Sequence, residues 1–257
     1  MRRQNHGKIW YNQSLYFKGK PMKYSKSFLL LLSFTMINVS IDAGTLKGHV
    51  KYDGKAPKKK RLRMDADPVC GSSHSGPVYS ENFKMAEDGS MAEALIYLKD
   101  VSYEGGVPSE PAVLDQKGCI YTPHVFGMVA GQELLIKNSD ATLHNIHSMP
   151  KVNKEFNFAM PKVVKQKKST FSQAEPDPFY IKCDVHPWMK SWVLVSDHPY
   201  FAVTDENGNF SIEGIPAGTY DVVCWQEKFG KRTLTRQVTI GDGETTENFV
   251  FSRPKKK

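Results

Sequence analysis

The stretch CDVHPWM, Cys183 to Met189, sets a thiol, an imidazole and a thioether at intervals of three residues. These are soft or borderline metal donors. A thiolate stabilises monovalent copper, imidazole suits both oxidation states, and a weak thioether tunes the balance between them. A copper ion that passes one electron needs a second imidazole, and ATLHNIH offers histidines upstream. Two other readings stay open on these residues: a redox-active thiol, or half of a structural Cys119–Cys183 disulfide. A dinuclear copper centre would need two cysteines in this loop, and only Cys183 is there. Nucleophilic hydrolysis has no support, because no G-x-S-x-G occurs.

Such donors have to be held by rigid elements. FYIKC runs into the heptapeptide, KSWVLVSD leaves it, and QELLIKNSD leads towards ATLHNIH. Each reads as a strand bounded by turn residues, so the donors stand at strand ends. The rest of the chain beyond residue 43 is similar. TLKGHVKYDGKAP alternates, AEALIYLKDV is a short apolar run, and Asn207-Gly208 and Pro216-Ala217-Gly218 mark hairpins. One helical turn is expected near DPVCGSS, and the polar, Lys-rich segment Lys162–Pro178 is expected to hold a loop. With no long amphipathic helix, the fold class is all-β, of the sandwich kind.

The pattern IKNSDATLHNIH followed by FYIKCDVHPWMKSWVLV resembles the cupredoxins, over roughly Ala112–Ser196. The C-x2-H-x2-M loop is similar to that of amicyanin and one step shorter than the plastocyanin loop. The resemblance implies a single type 1 copper ion held by His144, Cys183, His186 and Met189. It implies that Asn145 holds the ligand loop in place. It also implies that His186 lies at the rim and passes electrons to a redox protein docked over Pro187 and Trp188. His124 and His147 are extra imidazoles. His147 stands three residues from His144, on the opposite face of an extended chain. Both are expected to be hydrogen-bonded strand-edge histidines, with a second, weaker metal site as the alternative.

TDENGNFSIEGIPAGTYDVVCW resembles the prealbumin-like domains called carboxypeptidase-regulatory-like. Their usual opening strand is matched by KGHVKYDGKAP, far upstream. The resemblance implies two Greek-key-type β-sandwiches, a cupredoxin (104–196) inserted into a prealbumin-like sandwich made of 44–103 and 197–253, with a basic tail at 254–257. The alternative places the first segment in the cupredoxin sheet. The wider chain, with DQKGCIYTPHV and HPYFAVTDENGNF, resembles exported proteins labelled methylamine-utilisation proteins. In those proteins cysteines at positions like Cys70 and Cys119 recur together. That implies a Cys70–Cys119 bridge tying the outer domain to the inserted one, with Cys224 a buried free thiol.

Charge and export bound the partners. The 257-residue chain carries 35 Lys+Arg against 27 Asp+Glu, a net charge of +8. Seven of those bases and one acid lie in the first 43 residues, leaving 28 against 26. KKKRLR at Lys58–Arg63 and the tail read as solvated faces, and no nucleic-acid partner is expected. MKYSKSFLLLLSFTMINVSIDAG has a charged start, an apolar stretch and Ala43 before Gly44, the form of a cleaved signal peptide at 22–43. Residues 1–21 then form a start-codon extension. The apolar stretch is too short to span a membrane, so a periplasmic or secreted protein without a membrane span is expected. The expected role is an exported type 1 copper protein that carries single electrons and is not an enzyme. The alternatives are a periplasmic copper carrier and a metal-free adhesion or scaffold module.

Overall fold

The structure is a computed structural model and describes residues 43–253. The expected leader, apart from Ala43, and the basic tail lie outside the described residues. Strands dominate, interrupted among the described residues by one α-helical turn, Pro68–Ser72, and one 3-10 turn, Glu227–Phe229. The helical turn falls where the sequence places it. Asp67 caps it, accepting from the N–H groups of Val69 (2.8 Å) and Cys70 (3.3 Å), and Pro68 opens it, where a missing N–H costs nothing.

Apart from the short hairpin of Lys84–Met85 with Met91–Ala92, the described strands form two pairs of facing sheets. In the first pair, Ala43–Asp53 is central. It runs antiparallel to Asn209–Pro216 and parallel to Glu244–Thr246 and Phe249–Ser252. The facing sheet orders Phe201–Val203, Leu95–Leu98, Gly218–Trp225 and Leu234–Ile240. Leu46, Val50, Ile96, Phe210, Val222 and Phe251 fill the space between these sheets. Gly48 of KGHV has a steric reason: a Cβ there would lie 1.8 Å from the Glu247 carbonyl oxygen. The first and last thirds of the described chain are therefore hydrogen-bonded neighbours.

The second pair is built from the middle of the chain. One sheet orders Asn157–Met160, His144–Ser148, Phe179–Lys182, Lys190–Ser196 and Val125–Val129. The other orders Gln166–Thr170, Glu133–Asn138, Ala112–Lys117 and Ile120–Thr122. Leu114, Tyr121, Ile136, Ile146, Phe171 and Val193 fill the core between them. The apolar run of Leu95–Leu98 now has its cause. Ile96 and Leu98 face the first core, while Leu95 and Tyr97 face Val125, Leu194 and Trp225 in an apolar seam between the two sandwiches. A strand buried on both faces shows a continuous apolar run in place of alternation.

One expectation is refined here and one changes. The segment Lys162–Pro178 holds loops as expected, but between them lies a strand, Gln166–Thr170, paired with Glu133–Asn138. It is an edge strand whose Lys168 is exposed while the Lys167 ammonium lies 4.4 Å from the centre of the Phe158 ring. Its partner supplies the hydrogen bonds and Phe171 anchors its end, so its composition reads as a loop. Cys70 and Cys119 are disulfide-bonded, but the bridge does not join one sandwich to the other. Met64 and Cys70 pack into the second core, together with Leu62 and Val78. The segment around residues 61–78 is thus a cover laid over the second sandwich, stapled to the turn at Cys119.

Candidate metal centre

The donors meet at one end of the second sandwich. His144 opens the strand His144–Ser148, Cys183 follows Phe179–Lys182, and Met189 precedes Lys190–Ser196. The loop between the last two strands is closed by its own backbone: the Cys183 N–H donates to the Met189 carbonyl at 3.1 Å and the Met189 N–H to the His186 carbonyl at 2.9 Å. Nδ1 of His144 and Nδ1 of His186 face each other at 2.9 Å, and Cys183 Sγ lies 3.9 Å from His186 Nδ1. All three side chains are buried, and their donor atoms fall within 4.8 Å of one another. Met189 is buried in the same core cluster as Cys183.

Asn145 spans the gap from strand to loop. Its side-chain oxygen accepts from the N–H of Asp184 at 2.6 Å and of Val185 at 3.4 Å, and its carbonyl accepts from the Tyr121 hydroxyl. Fixing Asp184 and Val185 fixes the two residues between Cys183 and His186. That is the positioning task the resemblance implies for Asn145.

Each imidazole is backed by a carboxylate. His144 Nε2 donates to Asp140 at 2.9 Å, and Asp140 also accepts from the N–H groups of Gly118 (2.7 Å) and Cys119 (2.8 Å). Gly118 and Cys119 form a two-residue hairpin turn with φ of 64° and 55°, the left-handed pair such turns require. His186 Nε2 lies 3.2 Å from Asp67 Oδ2 and 3.6 Å from Cys70 Sγ. With each Nε2 engaged, both Nδ1 atoms are left for each other or for a metal. Burial pushes His144 down, but the hydrogen bonds to Asp140 and Cys183 prevail and raise it to about 9. Burial lowers His186, and the charge on His144 adds to that against the pull of Asp67. Burial pushes the Cys183 thiol up, but His144 and the backbone N–H groups, among them that of His186 at 3.3 Å, hold it below its ordinary value. A thiol biased towards thiolate, two facing imidazole nitrogens and a dry setting fit a soft one-electron metal.

The other sequence-derived positions are placed as follows. Cys183 and Cys224 are both free and buried, so no Cys119–Cys183 bridge forms. His147 does not join the centre; it lies 2.8 Å from Asp184 and 2.6 Å from Glu155. His124 is also elsewhere. Its Nε2 lies 2.6 Å from Glu227 and its Nδ1 3.1 Å from the Lys190 carbonyl, so both nitrogens face acceptors and neither is left for a metal. Pro187 is exposed and Trp188 partly so. The expectation for His186 changes: it is 3% exposed, roofed by Asp67 and Cys70, and does not lie at a rim. Asp67 and Asp140 went unread as partners of the centre. The four-residue step from Asp140 to His144 was a usable signal. Nothing local ties Asp67 to a histidine 119 residues away.

A protein-family model described as polysaccharide lyase family 4, domain II, matches residues 174–248, less than half of the chain. The match covers the segment that resembles carboxypeptidase-regulatory-like domains. No match is found among curated proteins. Solved structures similar to part of this chain include cupredoxins. A single-residue mutant of amicyanin in the Cu(I) state is 22% identical with a TM-score of 0.30 and covers 39% of this chain and 98% of its own. A purple cupredoxin from Nitrosopumilus maritimus is 22% identical, with a TM-score of 0.28, over 33% of this chain and 99% of its own. The copper-containing nitrite reductase of Thermus scotoductus is 19% identical, with a TM-score of 0.30, over 38% of this chain, and this chain spans 25% of it. Likenesses this partial do not show what the chain does.

Proposed function

We propose that this chain is an exported copper protein that carries single electrons between redox partners. His144, Cys183, His186 and Met189 would hold one type 1 copper ion. The observation that carries the reading is the convergence of two imidazole Nδ1 atoms, 2.9 Å apart, on a buried free thiol. When bound, copper would supply a reversible one-electron couple. The protein's own part is to keep the donors in place through both oxidation states. Asn145 fixes the loop, Asp140 and Asp67 orient the rings, and the His186 N–H supports the thiolate. Export rests on the leader and is supported by the Cys70–Cys119 bridge, which persists in oxidising compartments. No described helix is long and apolar enough to cross a membrane.

Burial favours this reading over a copper carrier. His144 is 0%, Cys183 2% and His186 3% exposed, so handing the ion to another protein would require the cover to open. The division into a cupredoxin inserted in a second sandwich belongs to the same proposal, with the outer sandwich as support. The test is the spectrum of the purified, copper-loaded, oxidised protein. An intense visible band from thiolate-to-copper charge transfer, lost reversibly on one-electron reduction, is expected. Tight Cu(I) binding without that band or a reversible couple would favour the carrier instead.

A further inference from the structure

The cover over His186 raises the question of where an electron would leave. Asp67 and Cys70 close the outer edge of that ring. On another side the ring meets Trp188, whose centroid lies 5.1 Å away. The Trp188 indole N–H donates to the Cys119 carbonyl at 3.0 Å, so the ring is held against the turn that carries the bridge. Its far side lines an open concavity of about 480 Å³, together with Pro187 and Ile120.

That concavity is basic. Lys60, Arg61, Arg63 and Lys190 are among the residues that line it. Lys60, Arg61 and Arg63 form no ion pair with any described residue and are exposed, as are Lys58 and Lys59 beside them. The acids in the lining are already engaged: Glu81 with Lys84 at 2.5 Å and Glu227 with His124 at 2.6 Å. Lys60, Arg61 and Arg63 are therefore unpaired cations beside Trp188, an aromatic ring that packs on His186 and is partly exposed.

We propose that electrons enter and leave through Trp188, and that the basic residues Lys60, Arg61 and Arg63 dock an acidic face of the partner redox protein. The inference rests on the electron-transfer reading and names the chemistry of its partner. A small interface with charge complementarity suits a short-lived redox encounter, where steering raises the on-rate without long residence.

The first measurement needs no copper. Hexacyanochromate(III), a redox-inert paramagnetic trianion, is titrated into the metal-free protein and followed by NMR line broadening. Broadening is expected at the Trp188 indole and the Arg61–Arg63 backbone, and Arg61→Glu with Arg63→Glu should remove it. Broadening centred elsewhere overturns the docking surface. The second measurement follows the reduced, copper-loaded protein giving one electron to hexacyanoferrate(III), which becomes hexacyanoferrate(II). Arg61→Glu should slow this about tenfold, the low end of electrostatic steering. It should speed the reaction with tris(phenanthroline)cobalt(III), a trication, while Lys99→Glu outside the concavity changes neither by as much. Trp188→Leu, provided the charge-transfer band persists, should slow both oxidants. Unchanged rates in a blue Trp188→Leu protein overturn the port alone. A protein with no such band overturns the electron-transfer reading and the port with it.

Discussion

Cys183 and Cys224 are the two free cysteines, one in each sandwich, and both are buried. Burial alone should treat them alike, because a dry interior disfavours thiolate. Cys224, packed in the first core, follows that rule and its thiol is pushed well up. Cys183 departs from it, held down by His144 and by backbone N–H groups of the loop. The first core is closed and apolar, and a thiol there is a small hydrophobe. The end of the second sandwich gathers Asp140, His144, Asn145 and His186, all buried and all costly to desolvate. A fold that needed only stability would not place them together. Polar cost concentrated at one end of one sandwich is what separates a site from a core.

The largest expected effect tests that contrast directly. Cys183→Ser should remove the charge-transfer band completely while the protein stays folded. Cys224→Ser should keep the band and lose about 1–3 kcal/mol of stability, since its hydroxyl would be buried without a planned partner. An absorption spectrum and a urea titration on each variant are enough. A blue Cys183→Ser protein, or a Cys224→Ser protein that loses its colour while folded, breaks the comparison.

The cover comes next. Cys70 and Cys119 stand 49 residues apart. Replacing both by Ala should cost about 4 kcal/mol by the chain-entropy estimate, read from denaturant midpoints. The loss should be accompanied by faster exchange of the backbone amides of residues 61–78. A variant as stable as the parent would mean that packing of Met64 and Leu62, and not the bridge, holds the cover down. Smaller again are the carboxylates behind the rings. Asp140→Asn and Asp67→Asn should each weaken copper or cobalt binding by about 10–100-fold. Asp140 should matter more, because an amide would set its own donors against the Gly118 and Cys119 N–H groups. Equal affinities for parent and both variants would show that the carboxylates are structural only.

The all-β class and the strands carrying the donors were legible because alternation and turn residues are local signals. The heptapeptide and ATLHNIH likewise name their own chemistry, and the Asp-Pro start of the helical turn could be read in place. What escaped was long-range. Gln166–Thr170 looks like a loop because an edge strand may be polar on every exposed position. The roof over His186 could not be read, because Asp67 reaches it only through a bridge and a cover whose register is set by tertiary packing. The expectation of a rim histidine failed for that reason: the loop is like those it resembles, but the segment lying on it comes from outside the resemblance.

The smallest expected effect sharpens the comparison through two histidines. Both His144 and His124 are held above their ordinary value against burial, by Asp140 and by Glu227 respectively. His144 keeps a nitrogen facing His186, whereas His124 has an acceptor at each nitrogen, so only its cation satisfies both. Glu81 at 4.0 Å, with Glu93 and Lys84 behind it, completes the charges around His124. A histidine raised in the fold stabilises fully below its ordinary 6.5, and that contribution is lost as pH rises through the folded value. Glu227 is held below its ordinary 4.5, so its contribution is present above that and lost on acidification. The pair should therefore stabilise most between about pH 4.5 and 6.5 and fade on the alkaline side. Comparing thermal midpoints of the copper-loaded parent and His124→Gln at pH 6 and pH 9 isolates it, since a metal-bound His144 no longer titrates. The gap between the two proteins should narrow at pH 9, with the spectrum of the centre the same in both. A gap that stays constant with pH would mean that His124 is held as a neutral ring. A changed spectrum would tie it to the centre after all.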